Sequence, residues 1–265
     1  MKQLKQVYES LLDDEDEIFA NVEQSIKTSI SEFIEGNFNG VSKHKISKEP
    51  NEDGKYVVDC PSTISVKKKS LTSLTNGKFV WGKVGGSFNC GGCKSLKSLE
   101  GAPKIVEGDF GCYNCDNLIS LEGAPEKVGA NFSCSGCKSL KSLNGVPEKV
   151  NRVFNCNDCD SLTSLEGGPK DVGGDFSCTF CNFLKTLKGA PVKVGEDFKC
   201  IGCISLTSLE GAPEKVGGDF RCIGCTSLKT LEGAPEKVGG NFECDGCDSL
   251  KSYDIDSNIK GKFIR

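Results

Sequence analysis

A phrase of 22 residues returns eight times with no insertion or deletion. Its cysteine pairs mark the copies: Cys90 and Cys93, Cys112 and Cys115, Cys134 and Cys137, Cys156 and Cys159, Cys178 and Cys181, Cys200 and Cys203, Cys222 and Cys225, Cys244 and Cys247. From Val84 onward the phrase reads V-G-G-x-F-x-C-x-x-C-x-S-L-x-S-L-x-G-x-P-x-x. A fixed period of roughly 20 to 29 residues signals a solenoid, because each unit can bury its apolar side only against its neighbours. Seven of the nine prolines recur at one place in the phrase (Pro103, Pro125, Pro147, Pro169, Pro191, Pro213, Pro235), and with 32 glycines they mark repeated turns. No helix longer than about a turn or two fits between them.

The chain has 265 residues, 37% of them hydrophobic and 26% charged, which suits a folded protein with ample core. Its formal net charge is −4, and residues 1–69 hold 13 acidic and 10 basic side chains, so neither part reads as a surface for polyanions. No nucleic-acid partner is expected. Lys67-Lys68-Lys69 reads as a solvated strand edge that discourages edge pairing. The start, MKQLKQVYESLLDDEDE, lacks an apolar signal core, and no later run approaches the ~20 apolar residues of a membrane span. A cytoplasmic location is therefore expected, with the 17 cysteines reduced and the sequon at Asn131 incidental.

Residues 1 to about 36 read as helical: Val22, Ile26, Ile30, Phe33 and Ile34 share one face of a 3.6-residue period. The acidic cluster Asp13 to Glu17 is expected just before that amphipathic stretch, where negative charge suits the helix dipole. EGNFNG at 35–40 ends the helix, KEPNEDGKY at 48–56 turns into a strand KYVVDC, and TISVKKKSLTSL at 63–74 reads as a worn repeat serving as a cap. The expected organisation is a capping region at 1–83, a solenoid at 84–250 and a second cap at 251–265. In that second cap Ile259 and Phe263 replace the repeat Val and Phe.

Within each phrase F-x-C-x-x-C-x-x-L matches the leucine-rich-repeat kernel L-x-L-x-x-N/C-x-x-L. The repeats resemble the 22-residue leucine-rich repeats of bacteria and their phages, with tandem LTSLEGAP…VGGDFxC. The resemblance covers residues 84–250; the amino-terminal region more weakly resembles leaders of phage-encoded proteins. The fold class expected is a parallel β-solenoid of leucine-rich-repeat type with a small α+β amino-terminal cap. Strand side chains alternate, so Phe88 and Cys90, two apart, face one way, and across the copies Phe and the first Cys point into the core. The second Cys stands where related repeats place an inward Asn, and a small thiol there can donate weakly to a carbonyl.

Zinc is the rival explanation of serial CxxC pairs. Against it stand the residues that follow each pair, which are Lys94, Asp116, Lys138, Asp160, Asn182, Ile204, Thr226 and Asp248 where zinc knuckles commonly place Gly. Four thiolates on one zinc also need sulfurs near ~3.8 Å apart, given bonds of ~2.3 Å, which rungs ~4.8 Å apart do not offer. The sole histidine, His44, lies outside the repeats. No GxSxG, HExxH, Walker phosphate loop or GxGxxG occurs. Cys60, the cysteine outside the phrase, reads as a core residue of the cap. No catalytic residue, metal or cofactor is therefore expected.

What remains is a surface. The outward columns hold Asn89, Gly111, Ser133, Asn155, Ser177, Lys199, Arg221 and Glu243, then Gly91, Tyr113, Ser135, Asn157, Thr179, Ile201, Ile223 and Asp245. Most are small and polar. Repeats five to seven depart from this, with Ile201 and Ile223 adjacent, Lys199 and Arg221 bordering them as a basic rim, and Phe180, Phe183 and Ile204 on nearby loops. Two readings stand: a docking patch for a protein partner, or isoleucines stacking as sheet formers beside a half-buried Phe183. The function expected is a non-enzymatic protein-binding module, which the resemblance suggests is phage-made and aimed at a host or defence protein. The alternative is a virion-associated structural spacer, with CxxC metal binding behind both.

Overall fold

The computed structural model describes residues 2–251 and 263–264, with side chains from residue 17 to residue 251. Helix α1 (Lys2–Asn37) leads into β1 (Phe38–Asn39), β2 (Lys45–Ile46), β3 (Tyr56–Cys60), β4 (Ile64–Val66) and β5 (Phe79–Val84). Every later repeat contributes a two-residue strand beginning at its Phe and another ending at its Val. The Phe strands join β1 and β4 in one sheet of eleven, parallel throughout except at β1, which pairs antiparallel with β4. This is the parallel β-solenoid with an α+β cap expected from the period.

Each rung is tied to the next by a backbone ladder longer than the two strand residues. The amides of Phe110, Cys112 and Asn114 donate to the carbonyls of Asn131, Ser133 and Ser135 at 2.7–2.9 Å, and the other repeats follow suit. The Phe rings stack along the axis, with centroids 5.2 Å apart from Phe154 to Phe176, from Phe176 to Phe198 and from Phe198 to Phe220. Around that column lie the paired leucines, the repeat valines and every cysteine, all buried. One side-chain column outside the core also braces the rungs: the carboxylates of Asp175, Asp197 and Asp219 accept the amides of Asp197, Asp219 and Asn241.

The amino-terminal end is closed by an aromatic cluster. Trp81 meets Phe38 edge-on at 5.3 Å and Phe79 at 5.4 Å, and its indole N–H donates to the Leu74 carbonyl at 3.1 Å. Ile64 stands in register with Phe88, so β4 acts as a rung whose spacing is 24 residues instead of 22. Cys60 is a core residue here, its thiol 3.4 Å from the Gly40 carbonyl. At the other end Phe263 pairs with Phe242 in parallel register, the place that a repeat Phe would take, while Ile259 lies outside the described residues.

One expectation about α1 needs correction. Asp13 to Glu17 lie inside the helix and not before it, so the helix-dipole argument does not apply to them. The helix-forming residues on both sides, Leu4 to Leu12 and Ile18 onward, carry the helix through the acidic run. The apolar face is also covered only in part: Ile30 and Ile34 are buried and Ile26 and Phe33 pack against the core, but Val22 is exposed.

The Val strands fall in two sheets rather than one, with the break between Lys127–Val128 and Lys149–Val150: β5 and the strands ending at Val106 and Val128 join β2 and β3, and the five strands ending at Val150 to Val238 form the other sheet. The reason lies in the residues after Val. A Cβ at Gly195 would stand 2.0 Å from the Gly173 carbonyl oxygen, so close stacking at this column favours glycine. Asn151-Arg152 is the one pair after a repeat Val, from Gly85-Gly86 to Gly239-Gly240, without any glycine; Glu107-Gly108 keeps one and keeps its pairing. Elsewhere Gly173 and Gly195 donate to Val150 and Val172 at 2.9 and 2.8 Å, whereas among the described residues Asn151 spends its side-chain amide on Gly129. Changing Asn151→Gly together with Arg152→Gly should fuse the two sheets, and hydrogen exchange at residue 151 should slow to the rate seen at Gly173. An unchanged rate would mean that the glycines are not what permits the pairing.

Candidate functional site

The fate of the cysteines decides between a chemical centre and a surface. From the second repeat on, each second thiol is aimed at the carbonyl of the first cysteine one repeat back, as from Cys137 to Cys112, Cys181 to Cys156, Cys203 to Cys178 and Cys225 to Cys200, these four at 3.1–3.2 Å. None of the 17 cysteines is in a disulfide, and all are buried. Burial drives the Cys90 thiol well above its ordinary pKa, and Cys115, for the same first reason, is pushed up to about 12. Cys112 is raised by its hydrogen bond with Cys137 and then by burial. That bond pulls Cys137 below its ordinary value in spite of burial. Among the described residues no group of three or more His, Cys, Asp or Glu is placed to hold a metal ion. His44 is bonded through its two ring nitrogens to Ser31 and the Val41 carbonyl.

The strand face is where the repeats differ. Ile201 and Ile223 lie on adjacent rungs, joined where the Gly202 amide donates to the Ile223 carbonyl at 2.7 Å, and both are half-buried. Phe180, Phe183 and Ile204 are 51%, 60% and 47% exposed. Phe183 therefore stands in solvent and not in the half-buried position weighed from the sequence. The structure places Phe180 and Ile201 on neighbouring rungs as well, the Phe180 amide donating to the Ile201 carbonyl at 2.8 Å.

Lys199 and Arg221 do not form a free basic rim. The Lys199 ammonium sits 2.6 Å from Asp175 and 3.3 Å from Asp197, and the Arg221 guanidinium engages Asp197 at 2.7 Å, Glu243 at 3.0 Å and Asp219. Two cations thus answer to four carboxylates, and the face around the isoleucines carries an acidic surplus. Burial alone would raise the Asp197 carboxyl, but the Asp219 amide, Lys199 and Arg221 together hold it below its usual value. For Lys199 burial works downward, and Asp175 with Asp197 outweighs it. The Asp column was missed in the sequence reading. Its signal was present in the G-D-F and E-D-F phrases, because Asp197 and Lys199, two apart on a strand, must share a face.

Phe180 is held unusually. The second residue between the cysteines adopts a positive φ throughout the repeats, as at Gly92, Asn114, Gly136, Asp158, Gly202, Gly224 and Gly246, and Phe180 joins them at φ 58°. Gly, Asn and Asp accept that left-handed region readily; a bulky side chain there is an outlier. Its ring lies across Gly202 of the next rung, where a Cβ would meet the ring at 2.4 Å. Tyr113 covers Gly91 in the first repeats in a similar way, with its hydroxyl 2.8 Å from the Asn89 amide.

No protein-family model matches the chain. No curated protein matches it. Among solved structures it is similar to a leucine-rich repeat protein from Bacteroides ovatus, at 13% identity and a TM-score of 0.27 over 84% of this chain and 90% of that one. At that score the likeness adds nothing to the fold that the strand pairings define. Among the described residues no helix is long and apolar enough to cross a membrane.

Proposed function

We propose that this chain is a non-enzymatic module that binds another protein through the strand face and adjoining loops of its fifth to seventh repeats. The observation that carries the reading is Phe180. Seven sister positions hold Gly, Asn or Asp, which suit the left-handed backbone, and the fold gains no core packing from a half-exposed phenylalanine there. Residues kept in strained conformations concentrate at functional places. Phe183 in the same repeat, Ile201 and Ile204 in the next and Ile223 in the one after add the apolar area from which a few anchors draw most binding energy. The face's acidic surplus favours a partner whose contact region is apolar and basic.

The test is capture of a partner from cells with the intact chain, followed by affinity measurements on variants. Phe180→Gly and Ile201→Asp should each weaken that binding by more than about 1 kcal/mol, since anchors at an interface carry that much or more. Arg221→Ala should weaken it too, though it also takes their cation from Asp219 and Glu243 and leaves Asp197 with Lys199 alone. Tyr113→Ala, on the same face but in the amino-terminal repeats, should leave the affinity unchanged. Equal affinity for the parent and a Phe180→Gly, Ile201→Asp double variant would move the interface elsewhere on the solenoid.

A further inference from the structure

Tyr113 is held as a platform. Its ring rests on Gly91 one rung back and on Gly111 in its own repeat, where a Cβ would stand 2.5 Å and 3.2 Å from ring carbons, and both glycines are buried beneath it. Glycine is what lets a ring come this close to the backbone. The Asn89 side-chain amide donates to the phenol oxygen at 2.8 Å, so the ring is fixed at three points while it stays 36% exposed. Its free face turns to solvent. On the rungs that follow, Ser133 and Ser135 pair their hydroxyls at 3.3 Å, the Asn155 side-chain oxygen accepts the Asn157 amide at 2.9 Å, and that of Asn157 accepts the Thr179 amide at 2.8 Å and the Ser177 hydroxyl at 2.6 Å. Both asparagines are thereby fixed through their oxygens, and their side-chain NH2 groups have no partner among the described residues. In repeats one to four the outward columns that begin at Asn89 and Gly91 hold no charged residue, the third outward position adds Asp109 alone, and the nearby Lys69 ammonium is spent on the Gly91 carbonyl at 2.5 Å.

We propose that this half of the strand face binds an uncharged β-linked glycan lying along the solenoid axis, with one sugar ring stacked on Tyr113. The charge character of the face selects this occupant. An anionic chain finds no free cation here, whereas sugar hydroxyls both donate and accept, which suits serine hydroxyls and asparagine amides. The C–H face of a pyranose fits an exposed aromatic ring, and a ring already held by two glycines and Asn89 loses little freedom on binding. Successive rungs lie ~4.8 Å apart, close to the advance per sugar of an extended β-1,4-linked chain, so neighbouring sugars meet neighbouring rungs. The site is separate from the protein-binding face of repeats five to seven, and neither reading depends on the other.

Isothermal titration calorimetry of the full chain with cellotetraose and with the chitin tetrasaccharide tests this. The expected result is binding of at least one, tighter than that of its disaccharide. Tyr113→Ala should weaken it about tenfold, the upper end of what one aromatic contact supplies, while Tyr113→Phe keeps most of the affinity. Phe180→Gly, on the other half of the face, should leave it unchanged, and thermal unfolding of all three variants shows that the solenoid is intact. Failure of both tetrasaccharides to bind overturns the proposal. So does binding that is indifferent to Tyr113→Ala or no tighter than that of the disaccharide. A captured protein partner that Tyr113→Ala releases would also overturn it, by giving this half of the face to the protein interface.

Discussion

Phe176→Ala should lower the unfolding free energy by about 3–5 kcal/mol, the usual cost of removing a buried phenylalanine. Phe176 stacks on Phe154 below and Phe198 above at 5.2 Å, with neither side open to solvent, so the gap cannot be filled from the surface. The solenoid is a line of rungs that touch only their neighbours, and a defect at the fifth of eight separates the two halves. Chemical denaturation should therefore show a lower midpoint and a less cooperative transition than in the parent. A single transition shifted by less than about 1 kcal/mol, the level of a surface change, would mean that the ring column is not what couples the rungs.

The thiols should react only when the chain opens. In the native protein a thiol reagent should be excluded from the 17 cysteines, with each about 1.4 kcal/mol of local opening free energy slowing the reaction tenfold. All 17 should react at once in denaturant. Burial keeps the reagent out, and at thiols such as Cys90 and Cys115 it also favours the neutral form, whereas the thiolate is the reactive one. The end rungs should open first, so Cys247 should react before Cys178. Within the ladder Cys178→Ala should cost on the order of 1 kcal/mol, a small cavity with one weak S–H bond lost, and no chemical activity. Stoichiometric zinc in the purified protein, or fast native reaction at the inner pairs, would contradict a ladder built for packing.

The fold was legible because one period governs it. With Phe and Cys two residues apart in every copy, alternation alone turned both inward, and the inward second thiol found a carbonyl as expected. Irregularities were harder to see where they depend on neighbouring rungs. The break in the Val sheet keeps the 22-residue period intact and shows only as two missing glycines at Asn151-Arg152. The cap's rung hides behind a 24-residue spacing between Ile64 and Phe88. The candidate surface was half legible. Its apolar members could be read from the outward columns, and Asp197 and Asp219 stand two residues before Lys199 and Arg221 on the same rungs, but Asp175 and Glu243 lie one rung away, and only stacking the repeats shows the whole network that neutralises the rim. The strain at Phe180 emerges the same way, from comparing a column in which its sisters are Gly, Asn and Asp.

Phe180 also offers the most direct measurement on the central claim, that this face is shaped for contact and not for folding. Phe180→Gly removes a side chain from a left-handed backbone position, where a non-glycine residue costs roughly 1–2 kcal/mol, and sacrifices only a half-exposed ring lying over Gly202. The equilibrium unfolding free energy of the variant should therefore rise by about 1 kcal/mol above the parent. A variant less stable than the parent would show that the ring belongs to the fold, and the case for this face as a binding surface would lose its main support.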